Sequence, residues 1–380
     1  MGIFNLNFGG KKSTSVVGID IGTSSIKVVQ LRKRRGVAVL ETYGELSLAQ
    51  YAGSEIGQAT NLPAPKIAEA VTDLMREANV TTQKAGISIP FSSSLISLVS
   101  MPALDKDKLA SMIPLEARKY IPVPISEVML DWFIVPSEEK SSVATSLNEN
   151  ENKEPANKSL KTIEVLLVAI HNRTLNKYNQ IVKATGLDVG FFEIEIFSAI
   201  RAVVEQSITP VMVLDMGASS TKLYVVEYGV VKASHVISGG SQDITQTISR
   251  SLSISLSKAE EVKQDFGVSQ EPLNTDENAT SSKEIITRNL DRIFRESNKV
   301  LLQYQQKHNK NIDKVVLTGG GATMKGLLPL AGNHFDADVS LSNPFAKVES
   351  PAFFENVLKE VGPEFAVAVG LALRKLQEEG

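Results

Sequence analysis

The stretch Val17-Gly18-Ile19-Asp20-Ile21-Gly22-Thr23-Ser24-Ser25-Ile26-Lys27 recurs as Met212-Val213-Leu214-Asp215-Met216-Gly217-Ala218-Ser219-Ser220-Thr221-Lys222. Asp, Gly, Ser, Ser and Lys fall at equivalent places, at one constant offset. Each copy reads as an apolar strand, a polar turn with glycine, and a second strand. The second strands, 26–31 and 222–227, lead through tight turns at 33–36 and 228–229 into a third. Two copies of one meander imply two lobes of related construction.

Between the copies the pattern changes. Residues 65–79 carry Ile67, Val71, Leu74 and Met75 on one helical stripe, and 85–89 read as a strand. Strands are expected at 95–101, 128–135 and 163–170. Helices are expected at 105–119, capped by Asp105, and at 172–185, capped by Asn172 and stopped by Gly186. Residues 137–161 are rich in Ser, Asn, Glu and Lys, so they bury too little to offset their ordering entropy. The span 89–187 therefore reads as an inserted α+β subdomain with a disordered loop. After the second meander come short helices at 241–252 and 257–266 and a second polar loop at 268–282. A long helix at 283–308, a strand at 314–317 and a closing helix at 364–377 follow.

Composition excludes several classes. The 380 residues contain no cysteine, which rules out disulfides and thiolate metal sites. A net charge of -3 gives no global attraction to nucleic acid. No apolar run reaches the length of a membrane span, and Asn5, Asn7, Lys11 and Lys12 interrupt any signal-peptide core. The reading is a cytosolic chain whose start, at 3–8, is either a loose tail or a contact with a membrane or partner. The four histidines are scattered, and neither a Walker A loop nor a Gly-x-Ser-x-Gly elbow is present.

What remains is the chemistry of the repeated turns. A glycine lets the backbone turn sharply, so that N–H groups and hydroxyls converge as donors around an anion. Two such turns, one per lobe, would clasp a polyphosphate from both sides. Asp20 and Asp215 end the leading strands and would face the same gap. A Mg²⁺ ion held partly through water would relieve their repulsion of each other and of the phosphates. Gly319, Gly320, Gly321 and Ala322 follow a strand and suit close backbone approach to a sugar, phosphate or base. Gly239-Gly240 is a similar signal or a simple turn. Lys27 and Lys222 either serve phosphate or are solvated. Small residues in the closing helix, Ala366, Ala368, Gly370 and Ala372, either pack tightly on the core or admit the nucleotide.

Residues 17–29 resemble the opening of the PilM family of type IV pilus assembly proteins, within the actin, sugar-kinase and heat-shock-chaperone superfamily and next to FtsA. The resemblance implies an α/β, actin-like (ribonuclease H-like) two-lobed ATPase fold with an inserted FtsA-like subdomain. It assigns 1–88 and 188–210 to the first lobe, 89–187 to the insertion and 211–361 to the second lobe. A helical subdomain lies at about 241–311, and 362–380 closes the first lobe. The superfamily's first phosphate loop matches Asp20, Gly22, Thr23, Ser24 and Ser25, with Lys27 beyond it. The second matches Asp215, Gly217, Ala218, Ser219 and Ser220, and the adenosine loop matches 319–322. Connecting motifs match 193–202 and 364–372. Glu260 and Lys263 look like the contact to adenine and ribose, and Glu195 stands where the superfamily puts a polar group near the attacking water.

The implied function is an ATP- or ADP-binding adaptor, peripheral to the inner membrane through its partners. It would dock the cytosolic tail of PilN in a groove where the insertion meets the first lobe. Other platform proteins are implied partners; nucleic acid and direct membrane contact are not. Alternatives are an active ATPase, a small-molecule kinase, or a self-associating FtsA-like division scaffold. The kinase lacks an obvious acceptor base, since Asp131 lies in an apolar strand. The chain's end at Gly380, without a membrane helix, is expected to favour the pilus reading over the division one.

Overall fold

The computed structural model describes residues 14–135, 162–205, 207, 209–269 and 277–379. The expectations for the N-terminal tail, for the loop at 137–161 and for 270–276 lie outside them. Two compact units are present: one comprises residues through Phe91 and from Lys177 onward, and the other is Ser92–Asn176.

The chain opens with β1 (Ser15–Ile21), β2 (Ser25–Arg34) and β3 (Val37–Ser47), an antiparallel meander. Helix α1 (Ala49–Ala52), helix α2 (Ala64–Glu77) and strand β4 (Lys84–Ile89) follow. The smaller unit holds β5 (Ser94–Pro102), α3 (Lys106–Ala117), β6 (Val128–Val135) and β7 (Thr162–His171). Its sheet runs β5-β7-β6, all antiparallel. Leu109, Ile113 and Ala117 of α3 pack on Val99, Val165 and Leu167 of that sheet. Asp105 caps α3 by accepting the Lys108 N–H at 3.0 Å.

The boundary between units falls within α4 (Asn172–Thr185), which ends where Gly186 takes φ +67°. Strand β8 (Asp188–Ile194) and helix α5 (Glu195–Val203) complete the first lobe's run. The second lobe repeats the plan with β9 (Val211–Met216), β10 (Ser220–Glu227) and β11 (Val230–Ser238). Then come α6 (Ser241–Leu252), α7 (Leu256–Phe266), α8 (Glu277–His308), β12 (Lys314–Thr318), α9 (Leu327–Gly332) and β13 (Asp338–Leu341). Helices α10 (Glu355–Val361) and α11 (Ala366–Glu378) follow, and α11 packs back on the first lobe.

The two five-stranded sheets have the same order, β3-β2-β1-β4-β8 and β11-β10-β9-β12-β13. In each, the meander is antiparallel and the last two strands join in parallel. Both meanders turn through two residues of positive φ, Arg35-Gly36 and Tyr228-Gly229, the twist that a two-residue hairpin needs.

Helix α8 begins earlier than the sequence implied, taking in the end of the polar stretch at 268–282. Polar residues cost little at a helix end once the helix is nucleated downstream, and Ser282 is fully buried there. Ile286, Leu290, Ile293 and Phe294 then pack against Met212, Leu214 and Val315 in the second lobe's core.

The small residues of α11 serve tight packing. A Cβ on Gly18 would lie 2.0 Å from the Ala368 carbonyl oxygen, so α11 crosses β1 backbone to backbone. Beside this crossing, Glu193 is buried and accepts hydrogen bonds from Ser198, from Arg201 at 2.7 and 2.8 Å, and from Arg374 at 2.8 Å. Burial alone would raise its pKa. The hydrogen bonds and charge of Arg201, with Ser198 and Arg374, outweigh burial and hold it below 4.5.

A carboxylate depressed on folding stabilises the fold above its unfolded pKa and loses that contribution as pH falls through the folded value. The urea midpoint is therefore expected to fall as the pH drops below 4.5. Glu193→Gln should flatten that dependence while costing about 2 kcal/mol at pH 7, because the partly exposed arginines are partly screened. An unchanged pH profile in the variant would remove Glu193 from this role.

Candidate functional site

The equivalent turns of the two meanders close alike. Gly22 N–H donates to the Ser25 carbonyl at 3.0 Å, and Gly217 N–H to the Ser220 carbonyl at 3.1 Å. Their tips meet across the lobes, with Thr23 Oγ1 and Ser219 Oγ 3.5 Å apart. Ser24 flanks the first tip and Ala218 the second.

Each aspartate is fixed from behind. The Ser88 hydroxyl donates to Asp20 Oδ1 at 2.7 Å and accepts the Ile21 N–H at 3.1 Å. Burial is the main cause that raises Asp20 to about 6, and the charge of Glu195 adds to it. Ser88, missed in the sequence, is invisible there because its partner lies on another strand. Asp215 is buried beside Gly319, whose φ of +84° only glycine adopts freely. A Cβ at Gly319 would lie 2.4 Å from Asp215 Oδ1, and one at Gly321 would lie 2.9 Å from the Met216 carbonyl. The strip 319–322 thus rests directly on the second turn. It is tied to the start of the closing segment by Gly319 N–H to the Pro363 carbonyl at 2.9 Å. Gly320 is exposed on its outer side, and Ala322 is buried.

The solvated reading of the two lysines gives way. Lys27 is 12% exposed, donating to Ser25 Oγ at 2.8 Å and to Glu45 at 2.7 Å. Lys222 is 15% exposed and joins Glu195 Oε2 at 2.7 Å to Asp215 Oδ2 at 3.3 Å. Burial would lower the pKa of Lys222. Asp215, then Glu195 and Asp20, overcome this and raise it well above the ordinary range. The other oxygen of Glu195 accepts the Phe91 N–H at 2.6 Å.

Glu260 and Lys263 do not sit on an exposed face either. Both are buried, paired at 2.7 Å, with Thr245 donating to Glu260 at 2.6 Å. A first-lobe segment that the sequence reading passed over reaches this place. Glu55 accepts from the Ser257 N–H at 2.6 Å, and Ala59 N–H donates to Gln242 at 2.8 Å. Gly57, with φ +86°, leaves no room for a Cβ beside Glu260. Gly53 and Gly57 were its only sequence signal. Gly239 and Gly240 lie behind the second turn, where a Cβ on Gly240 would be 2.2 Å from the Ala218 carbonyl.

The donor set suits a polyanion with a hydrated cation: hydroxyl-rich turns, close glycine backbone and two carboxylates. Among the described residues no three His, Cys, Asp or Glu side chains gather into a metal cage. A metal here would take most of its ligands from phosphate and water. Nor is any helix among the described residues long and apolar enough to cross a membrane.

Comparison with known proteins bears on the family and the fold. The family model of the type IV pilus assembly protein PilM matches residues 18–376. A solved PilM–PilN type IV pilus biogenesis complex aligns with a TM-score of 0.76 at 23% identity, covering 95% of this chain and 98% of that one. MreB5 of Spiroplasma citri aligns with a TM-score of 0.51 at 10% identity, covering 96% and 98%. The fold is thus actin-like and two-lobed. Cell division protein FtsA of Enterococcus faecalis is 32% identical over 168 residues. That match covers 40% of this chain and spans only 37% of the FtsA length.

Proposed function

Since this chain belongs to the type IV pilus assembly protein PilM family, we propose that it is an ATP-binding adaptor of the pilus machinery that docks the cytosolic tail of PilN. The observation that carries the nucleotide half is the pair of equivalent turns whose tips lie 3.5 Å apart across the lobes. Gly22, Thr23, Ser24 and Ser25 would hold the polyphosphate from one side, and Gly217, Ala218, Ser219 and Ser220 from the other. The strip 319–322, with Glu260 and Lys263, would take the nucleoside. Asp20 and Asp215 would hold Mg²⁺ through water, and the ion supplies neutralising charge.

ATP serves mainly as a structural ligand in this reading. Glu195, the candidate base, is engaged at both oxygens, and accepting a proton from water would require Lys222 to release it. A captive carboxylate supports slow turnover at most. The partner half rests on the family and on the solved PilM–PilN pair. Through PilN the chain would sit peripheral to the inner membrane, with other platform proteins and self-association as extensions.

Calorimetric titration of the ATP-loaded protein with a synthetic N-terminal PilN tail tests this. One-to-one binding is expected, lost when the tail's apolar residues are replaced. No binding with ATP loading intact would sink the adaptor reading and favour a division-type scaffold.

A further inference from the structure

The two lobes repeat a lysine but not its neighbour. On the first sheet Lys27 stands opposite Asp20 on β1 and opposite Glu45 on β3. Its ammonium goes to Glu45 and stays within its own lobe. On the second sheet Lys222 stands opposite Asp215 on β9, but opposite Val236 on β11. Directly paired residues share a face of the sheet, so the valine occupies the place that Glu45 fills in the first lobe and offers no charge. Lys222 turns instead to Glu195 of the other lobe, keeping Asp215 as its second partner. Asp20 adds its charge to the same ammonium.

One covalently attached cation therefore serves the three carboxylates that border the proposed phosphate position. Unneutralised, those carboxylates would repel a polyphosphate, and a divalent ion is the usual remedy. An ammonium has three donors. Two go to Glu195 and Asp215, which leaves one for a phosphate oxygen, where lysine acts as a point charge.

We propose that Lys222 is a built-in counter-ion that lets this cleft bind ATP with a reduced need for divalent metal. The proposal rests on the nucleotide reading above. In it Lys222 neutralises Asp215 and Glu195 and gives its remaining donor to the phosphate.

The test is calorimetric titration of the full chain with ATP, once in Mg²⁺ and once in EDTA. The wild type is expected to weaken by no more than about tenfold in EDTA, whereas Lys222→Met weakens by about a hundredfold or more. Val236→Glu is the second variant. It lies on an exposed strand position, keeps the lysine and gives it the same-lobe partner that Lys27 has. It should widen the ratio of the two affinities as well, and it decides the matter if Lys222→Met does not fold. A merely structural role would alter both affinities together and leave their ratio alone. Wild-type binding that vanishes in EDTA, or a ratio unchanged in the variants, overturns the proposal. Failure of folded wild type to bind ATP even in Mg²⁺ is a different result, because it overturns the nucleotide reading itself.

Discussion

Gly370→Ala is expected to cost about 3 kcal/mol or more of stability, near the upper end for overpacking a core. The added Cβ would lie 1.9 Å from the Ser198 carbonyl oxygen, and that obstacle is backbone, so no side chain can rotate away. Helices α5 and α11 would have to move apart. Two other contacts resist that movement: the crossing of Gly18 on Ala368, and the Glu193 carboxylate gripped by Arg201 on one helix and Arg374 on the other. Gly332→Ala is the control, since nothing lies within 4 Å of its built Cβ and alanine is the better helix former. Urea midpoints give the answer. Equal midpoints for the two variants would mean that the helices do not cross so closely.

Gly319→Ala is expected to lower ATP affinity by at least about a hundredfold. The backbone at φ +84° disfavours any side chain. The new Cβ would also press on Asp215 Oδ1 at 2.4 Å and on the Met216 carbonyl at 2.7 Å. Asp215 would have to leave the position that Lys222 shares with it, so the damage reaches both the strip 319–322 and the second turn. Gly320→Ala is the comparison, because its nearest neighbour is Glu364 Oε2 at 3.8 Å. Calorimetry with ATP, with thermal melting alongside, separates lost affinity from lost fold. Full affinity in Gly319→Ala would detach the strip from the nucleotide.

The repeated Asp-x-Gly-x-Ser-Ser turn made the two-lobed architecture readable, because both copies carry strand, turn and strand within a dozen residues. Local signals also placed α3, through the Asp105 cap, and the end of α4, through Gly186. What the sequence hid was long-range. Lys27 and Lys222 look alike in their own strands, and only the third strand, with Glu45 in one copy and Val236 in the other, separates them. Ser88 and the Glu55–Ala59 contacts are set by chain segments far apart in sequence, and no periodicity announces such a meeting. The early start of α8 was hidden for the opposite reason: its first turn has a loop's composition, and the helix behind it carries it along.

The seat of α11 against β1 has a consequence during synthesis. Strand β1 leaves the ribosome long before the helix that covers it is made. Val16 and Val29 are buried with Ala368, Val369 and Leu376, residues far downstream in the sequence. At bacterial elongation rates of about 5–20 residues per second, the wait is on the order of tens of seconds. Through that interval the first lobe's sheet presents an unfinished apolar face. The second lobe's core draws on residues 212–335 and can consolidate beforehand. The second lobe should therefore consolidate before the first, and a chaperone is most needed at the first lobe's sheet.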